Sequence, residues 1–224
     1  MPLNIIHEDA KLLVVDKPAG LTVEQVGEQL KKQFPELERL GEERRYGIVH
    51  RLDKDTSGVL LAAKTKEEFE ELQKQFANRQ VEKRYICLVE GTISKDKGVV
   101  HTLLARSPAD RRKQRTYPLQ EQRAGRREAM TEWQVLQRFL HFTLLQVSPK
   151  TGRKHQIRAH MASLGHPVAG DKLYGFKNQQ IPQGLTRQFL HASSLKIGDA
   201  EFSAELPKDL QEVLQKLQPH DNSN

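Results

Sequence analysis

The sequence predicts an α+β domain built on a largely antiparallel sheet. Strand-like runs outnumber helical ones, the two kinds do not alternate strictly, and no internal repeat of fixed period recurs along the 224 residues. A doubly wound parallel sheet would need regular strand-helix alternation and is disfavoured.

KLLVVDKPAG begins as a strand over Lys11 to Asp16, because an apolar, β-branched run stopped by Pro18 and Gly20 is a strand-to-turn signal. The mixed-charge segment from Val23 to about Phe34 reads as a helix. Gly58 to Lys64 is a second strand, short and apolar enough for burial on both faces. In TKEEFEELQKQFANRQ, Thr65 caps a helix, Glu68 completes a capping box, and Phe69, Leu72 and Phe76 share one inward face. Strands follow over about Arg84 to Val89, Glu132 to Phe139 and Phe142 to Val147. Arg153 to Leu164 suits a helix, with Ile157, Met161 and Leu164 at helical spacing and Gly165 as its stop. Strand-like runs recur over Phe189 to Ile197 and near Phe202. Pro207 opens a last amphipathic helix that docks through Leu210, Val213, Leu214 and Leu217. A single domain over residues 1–218 is expected, followed by a polar, disordered tail over residues 219–224.

Composition narrows the classes of function. With 37% hydrophobic and 29% charged residues, the chain reads as globular with a polar surface. No apolar run approaches the roughly 20 residues of a membrane span. The opening MPLNIIHEDA lacks a basic-then-apolar signal pattern, so a cytoplasmic protein without membrane association is expected. Cys87, the single cysteine, can form neither an internal disulfide nor a cysteine-rich zinc site and is expected to pack as a small apolar residue. The net charge is +7, and it is concentrated: Arg106 to Arg127 holds eight Lys or Arg against two acids. So basic and apolar-poor a segment reads as an exposed loop or hairpin. Two uses fit it, a solubilising surface loop or an arm contacting the phosphates of a nucleic acid, with Arg111, Arg112 and Arg115 as candidate contacts.

Two strings could carry chemistry. In HRLDKDTSG, Asp53 sits in a polar turn between the apolar segments GIV and GVLLAA, at the end of expected buried strands where a carboxylate can be desolvated. Burial alone would neutralise it, so an ionised acid there needs a cation nearby, and arginine suits because it keeps its charge. The same residues, Asp53, Asp55, Thr56, Ser57 and Gly58, are also ordinary turn formers. In SPKTGRKHQIRAHMASLGHP, Thr151, Gly152, Arg153 and Lys154 gather at an expected helix start, a place that favours an anion such as phosphate. Arg158 lies one turn further in, at the edge of the buried stripe, and could reach inward to a carboxylate. Tyr85 follows Lys83 and Arg84, a combination that can stack a base beside a phosphate contact, although a plain strand tyrosine fits as well.

Other chemistries lack their patterns. The nine histidines are poorly spaced for a metal, with His155 and His160 five apart and no HEXXH. GXXXXGK and GXGXXG are missing, which speaks against nucleoside triphosphates and dinucleotides, and Ser57 is not in a GXSXG elbow.

YGIVHRLDKDTSGVLLAAKT, VEKRYICLVEG, SPKTGRKHQIRAHMASLGHPVAGDKLYG and FLHASSLKI, with the early KLLVVDKPAGL, resemble in order the motifs of the RluA-type RNA pseudouridine synthases. The resemblance implies a catalytic fold with a bent, mixed, mostly antiparallel sheet, flanking helices and a central cleft. It implies isomerisation of uridine to pseudouridine in ribosomal or transfer RNA, without cofactor or metal. Asp53 matches the catalytic aspartate that starts breakage of the C1′–N1 bond, by attack at the sugar or by assisting formation of a glycal. Tyr85 matches the tyrosine that stacks on the target base and is associated with later proton removal. Arg158 matches the basic residue paired with the aspartate, and Arg51 an arginine that fills the space left by the flipped uridine. Arg153 and Lys154 are expected to contact RNA. Many relatives carry an N-terminal S4-like RNA-binding domain; here the motifs begin too early to leave room for one, which raises the importance of the basic arm. A monomer is the expectation for oligomeric state. A silent RNA-binding module would not need Asp53, Tyr85 and Arg158 together, and a nucleoside hydrolase would release free uracil.

Overall fold

The computed structural model describes residues 3–41 and 44–219. In chain order its strands and helices are β1 (Asn4–Glu8), β2 (Leu12–Lys17), α1 (Val23–Gln33), β3 (Ser57–Ala63), α2 (Lys66–Ala77), β4 (Glu82–Glu90), β5 (Lys97–Arg106), β6 (Gln114–Tyr117), β7 (Arg127–Arg138), β8 (Phe142–Pro149), α3 (Gln156–Ser163), β9 (Leu190–Ile197), β10 (Ala200–Ser203) and α4 (Lys208–Gln215). The architecture is α+β with mixed strand pairing, as the sequence predicts. All the strand pairs described below are antiparallel except β3 with β9. The chain divides into two compact units, Met1–Lys83 with His191–Glu205, and Arg84–Leu190 with Leu206–Asn224.

In the first unit the strand order is β1-β2-β3-β9, with β10 paired antiparallel to β9 off that path. Every residue of β3 is buried, which is why SGVLLAA is continuously apolar after its serine and glycine. Val14, Val59, Leu61 and Leu195 form a core with Phe76 of α2 against it. Each such aliphatic side chain contributes about 1.5–3 kcal/mol when fully removed from water. Thr65 caps α2 by accepting from the Glu68 N–H at 3.2 Å, one half of the expected capping box. The reciprocal capping box occurs instead on α1, between Thr22 and Gln25.

The second unit orders its strands β4-β8-β7-β5-β6. Ile157 and Met161 of α3 pack on Cys87, Val147 and Trp133, so Cys87 is the apolar packing residue expected of it. Burial pushes its thiol pKa far up, and the nearby Asp171 charge adds to this. Helix α4 docks through Leu210, Val213, Leu214 and Leu217 onto Leu88, Phe142 and Phe189.

Several expectations change. β1, β5 and β6 were not anticipated from sequence, and β7 starts at Arg127, five residues ahead of the expected Glu132. The basic stretch is therefore a hairpin, with Leu103 to Arg106 of β5 paired to Gln114 to Tyr117 of β6. Leu164 is 41% exposed, because α3 has ended at Ser163 and Gly165 turns the chain at φ +86°. Pro219 bridges Phe139, so the part of the expected disordered tail that remains, residues 220–224, lies outside the described residues.

Gly58 has φ +118°, and a Cβ there would fall inside contact distance of the Ala192 carbonyl oxygen. Replacing Gly58 with alanine is expected to cost about 3 kcal/mol or more through backbone strain and displacement of β9. The loss should appear as a lower urea midpoint at unchanged slope.

Candidate active site

The Asp53 turn is fixed from both sides. Ahead of it, Ile48 bridges Ala62 and the Gly47 carbonyl accepts from Ala63 N–H at 2.9 Å, which stitches the incoming chain to β3. His50 Nε2 accepts from Leu61 N–H at 3.1 Å, and its ring stacks on Phe76 with centroids 5.0 Å apart. An imidazole that accepts there is neutral, and burial together with the Lys83 charge lowers its pKa to about 3. The turn itself closes through Thr56 N–H to the Asp53 carbonyl at 3.1 Å.

Lys17 secures the same turn from below. Its side chain is fully buried, and Nζ donates to the carbonyls of Pro18, Leu21 and Lys54 at 2.9, 2.7 and 3.0 Å. Three acceptors replace the hydration that a buried ammonium loses. Gly20 N–H adds a bond to the Lys54 carbonyl at 2.9 Å. Behind the turn, His191 Nε2 donates to the Ala204 carbonyl at 3.1 Å, so its Nδ1 must accept from the Ser57 hydroxyl at 3.0 Å. On this framework Asp53 is partly buried and Arg51 is exposed. Burial also pulls the ammonium of Lys83, still in this unit, down to a pKa of about 8.

In the second unit, Tyr85 stands on β4 opposite Val147 and packs against the Cys87 and Val89 cluster. Arg158 of α3 is buried, and through Nε and Nη2 it donates to both oxygens of Asp171, at 2.7 and 2.9 Å. The carboxylate that takes these two bonds is Asp171, which the sequence did not single out. Burial tends to raise the Asp171 pKa, but the hydrogen bond and charge of Arg158, with the N–H groups of Tyr174 and Leu173, hold it lowered. Tyr174 places its ring 5.1 Å from the Arg158 guanidinium.

The expected phosphate site at Thr151 to Lys154 is not built as a helix N-terminus. Helix α3 begins at Gln156, after His155 in the left-handed region at φ +55°, rather than at Arg153. Gln156 Oε1 accepts from the Thr151 hydroxyl at 2.6 Å and from the Arg153 N–H at 3.0 Å, so that backbone donor is engaged inside the protein. Arg153 Nε donates to the Glu128 carbonyl at 3.0 Å, and Lys154 is exposed. In the basic hairpin, Arg112 forms a bidentate pair with Asp110 at 3.0 and 2.8 Å, while Arg111 and Arg115 are exposed. Among the described residues, no group of three or more His, Cys, Asp or Glu is arranged to hold a metal ion, and no helix is long and apolar enough to cross a membrane.

The profile of the RNA pseudouridylate synthase family matches residues 11–163, and the chain belongs to that family. It is 43% identical over 195 residues to an uncharacterized RNA pseudouridine synthase of Aquifex aeolicus, covering 83% of this chain and 60% of that one. It is 37% identical over 238 residues to the ribosomal large subunit pseudouridine synthase D of Nitrosomonas europaea, covering 98% of this chain and 67% of that one. The chain thus spans about three fifths to two thirds of the length of these relatives. The solved structure of human RNA pseudouridylate synthase domain containing 1 superposes with a TM-score of 0.80 at 28% identity, covering 97% of this chain and 89% of that one.

Acid should destabilise the fold through its buried histidines. Burial lowers His160 to about 4, as it lowers His50 to about 3, from an ordinary 6.5. Both are neutral when folded, and the unfolded chain takes up their protons below about pH 6.5. Their contribution is therefore complete above that pH and is lost as pH falls toward 4. Each removes at most about 1.4 kcal/mol per pH unit in that window. Urea midpoints should drop between pH 7 and pH 5, and equal midpoints would contradict this.

Proposed function

We propose that the chain is an isomerase that converts uridine to pseudouridine in ribosomal RNA, working in the cytoplasm as a monomer without cofactor or metal. The observation that carries the reading is the Asp53 turn, locked through Lys17, Gly20 and Thr56 and lying within the part of the chain that matches the family. The family match also runs through both compact units, which supports treating residues 1–218 as one catalytic domain.

The roles follow the family resemblance. Asp53 starts breakage of the C1′–N1 bond, by attack at C1′ or by assisting formation of a glycal, and the bonding pair leaves with the uracil. The freed base turns and joins C1′ through C5; the proton lost from C5 and one gained at N1 complete an isomerisation with nothing added. Tyr85 stacks on the base and serves the later proton removal. Arg158 keeps the aspartate ionised, and Arg51 fills the place of the everted nucleotide, whose flipping costs a few kcal/mol. Arg153, Lys154 and the hairpin arginines Arg111, Arg112 and Arg115 contact the RNA backbone. The ribosomal choice rests on relatives named for the large ribosomal subunit.

Carbodiimide mapping of pseudouridine in RNA from a deletion strain tests the assignment. Complementation with the wild-type gene should restore a mark, in ribosomal RNA, that Asp53→Asn does not restore. A mark that returns with the mutant removes Asp53 from the chemistry, a mark in transfer RNA moves the substrate, and release of free uracil makes the enzyme a hydrolase.

The arm has a separate expectation. Neutralising Arg111 and Arg115 to glutamine should weaken RNA binding and lower the slope of log affinity against log salt by about 0.7–0.9 per contact removed. Arg112→Gln alone should change it less, because Asp110 already holds that guanidinium. Titration over a series of salt concentrations measures both.

A further inference from the structure

Asp171 and Tyr174 surround the buried face of Arg158. Asp171 is itself fully buried, takes the Nε and Nη2 edge of the guanidinium, and has its Oδ1 fixed by the N–H groups of Leu173 and Tyr174 at 2.9 and 3.0 Å. A planar fork gripped at two points loses freedom to rotate about its long axis. The Tyr174 ring sets the remaining direction, 5.1 Å from the guanidinium carbon, within reach of a cation-π contact.

That ring is in turn held by the basic hairpin. The Tyr174 hydroxyl accepts from the N–H of Gln114, the first residue of β6, at 2.6 Å and lies 3.1 Å from His155 Nδ1. Its ring meets the imidazole of His155 edge-on, and Lys113 Nζ lies 5.9 Å from its centre. One tyrosine therefore joins the arm to the helix that carries Arg158.

We propose that Asp171 and Tyr174 are positioning residues that set the orientation of Arg158 and tie it to the basic hairpin. This rests on the pseudouridine synthase reading, in which Arg158 serves Asp53. Neither residue touches substrate in this account. Asp171 fixes the edge of the guanidinium, Tyr174 fixes its face, and Gln114 transmits the position of the arm to that face.

The test uses the full chain with Asp171→Asn, Tyr174→Phe, Arg158→Lys and the double variant Arg158→Lys with Tyr174→Phe. A loosened guanidinium should slow pseudouridine formation at saturating RNA about 10-fold to 100-fold, as small misplacements of a catalytic group do. RNA affinity should move far less, because phosphate contacts elsewhere supply it. If Tyr174 acts through Arg158, the double variant should be no slower than Arg158→Lys alone, whereas multiplied losses would overturn the proposal. The Arg158 Nε–H resonance, assigned by its loss in Arg158→Lys, reads the clamp without any reference to activity. It should exchange slowly with solvent in the wild type and faster in both Asp171→Asn and Tyr174→Phe. Unchanged exchange in the folded variants would sink the proposal, and Tyr174→Phe, which removes a single oxygen, keeps that test open if Asp171→Asn does not fold. A wild type that makes no pseudouridine but shows the expected exchange pattern would overturn the functional reading and leave the clamp standing.

Discussion

The parallel register that sets Ser57 beside His191 and Gly58 beside Ala192 is the constraint on which the first unit rests. β3 is buried along its whole length, so it has no solvent-facing side that could absorb a slip. Shifting it by one residue would take the Ser57 hydroxyl away from His191 and put a side chain where only Gly58 fits against the Ala192 carbonyl. His191 is bonded at both ring nitrogens, which leaves its tautomer and its plane no latitude. The Asp53 turn ends directly at this fixed point, through the Thr56 N–H bond that precedes Ser57. The role proposed for Asp53 needs such a rigid origin, since a displacement of about 1 Å can cost a factor of a hundred in rate.

Charge plays the corresponding part in the second unit. A buried Arg-Asp pair gains little stability over well-packed apolar residues, because desolvating both ions offsets most of their attraction. What it does supply is direction: two short bonds define the plane of Arg158 as a hydrophobic contact could not. The Gln156 side chain orders the start of the same helix by neutral means, with Oε1 accepting from Thr151 and Arg153 while Nε2 donates to the Met130 carbonyl and Thr131 at 2.9 Å. The Thr131 hydroxyl also shares a hydrogen bond of 2.8 Å with Nδ1 of His160, which burial keeps neutral. Beside the apolar contacts of Ile157 and Met161, α3 thus carries a hydrogen-bonded cluster through Gln156 and His160 and, separately, one buried ion pair through Arg158.

Much of this was legible in the sequence because local rules decided it. Thr65 before an amphipathic run, Gly165 after one, and the unbroken apolar stretch of β3 each state their own structure, and α2, the end of α3 and β3 followed. β5 escaped because KGVVHTLLAR carries its apolar residues without clean alternation, its burial being set by β6 on one side and β7 on the other. The start of α3 was misplaced because a left-handed His155 is a tertiary choice, allowed where its ring meets Tyr174 nineteen residues away. Asp53 and Arg158 stood out by charge in an apolar setting. Lys17, one residue past the expected strand, and Asp171 were not singled out, since their partners are carbonyls and a guanidinium brought in by folding. Single-residue chemistry shows in a string; pairing at long range does not.

The basic hairpin illustrates how shape and binding can be separated within one segment. Its two acids are both engaged by arginines of the same segment, Asp110 by Arg112 and Glu121 by Arg126, whose guanidinium also lies 3.7 Å from the centre of the Tyr117 ring. These two pairs brace the loops on either side of β6. Of the eight basic residues counted there, subtracting those two leaves six, Arg106, Arg111, Lys113, Arg115, Arg123 and Arg127, to shape the outward field. Such exposed charges contribute little to folding, where salt and water screen them. Against a polyanion they act together, because each phosphate neutralised releases counterions whatever the sequence read. The arm's ion pairs are thus internal to it, and its remaining cations leave a surplus of positive charge that the fold itself does not require.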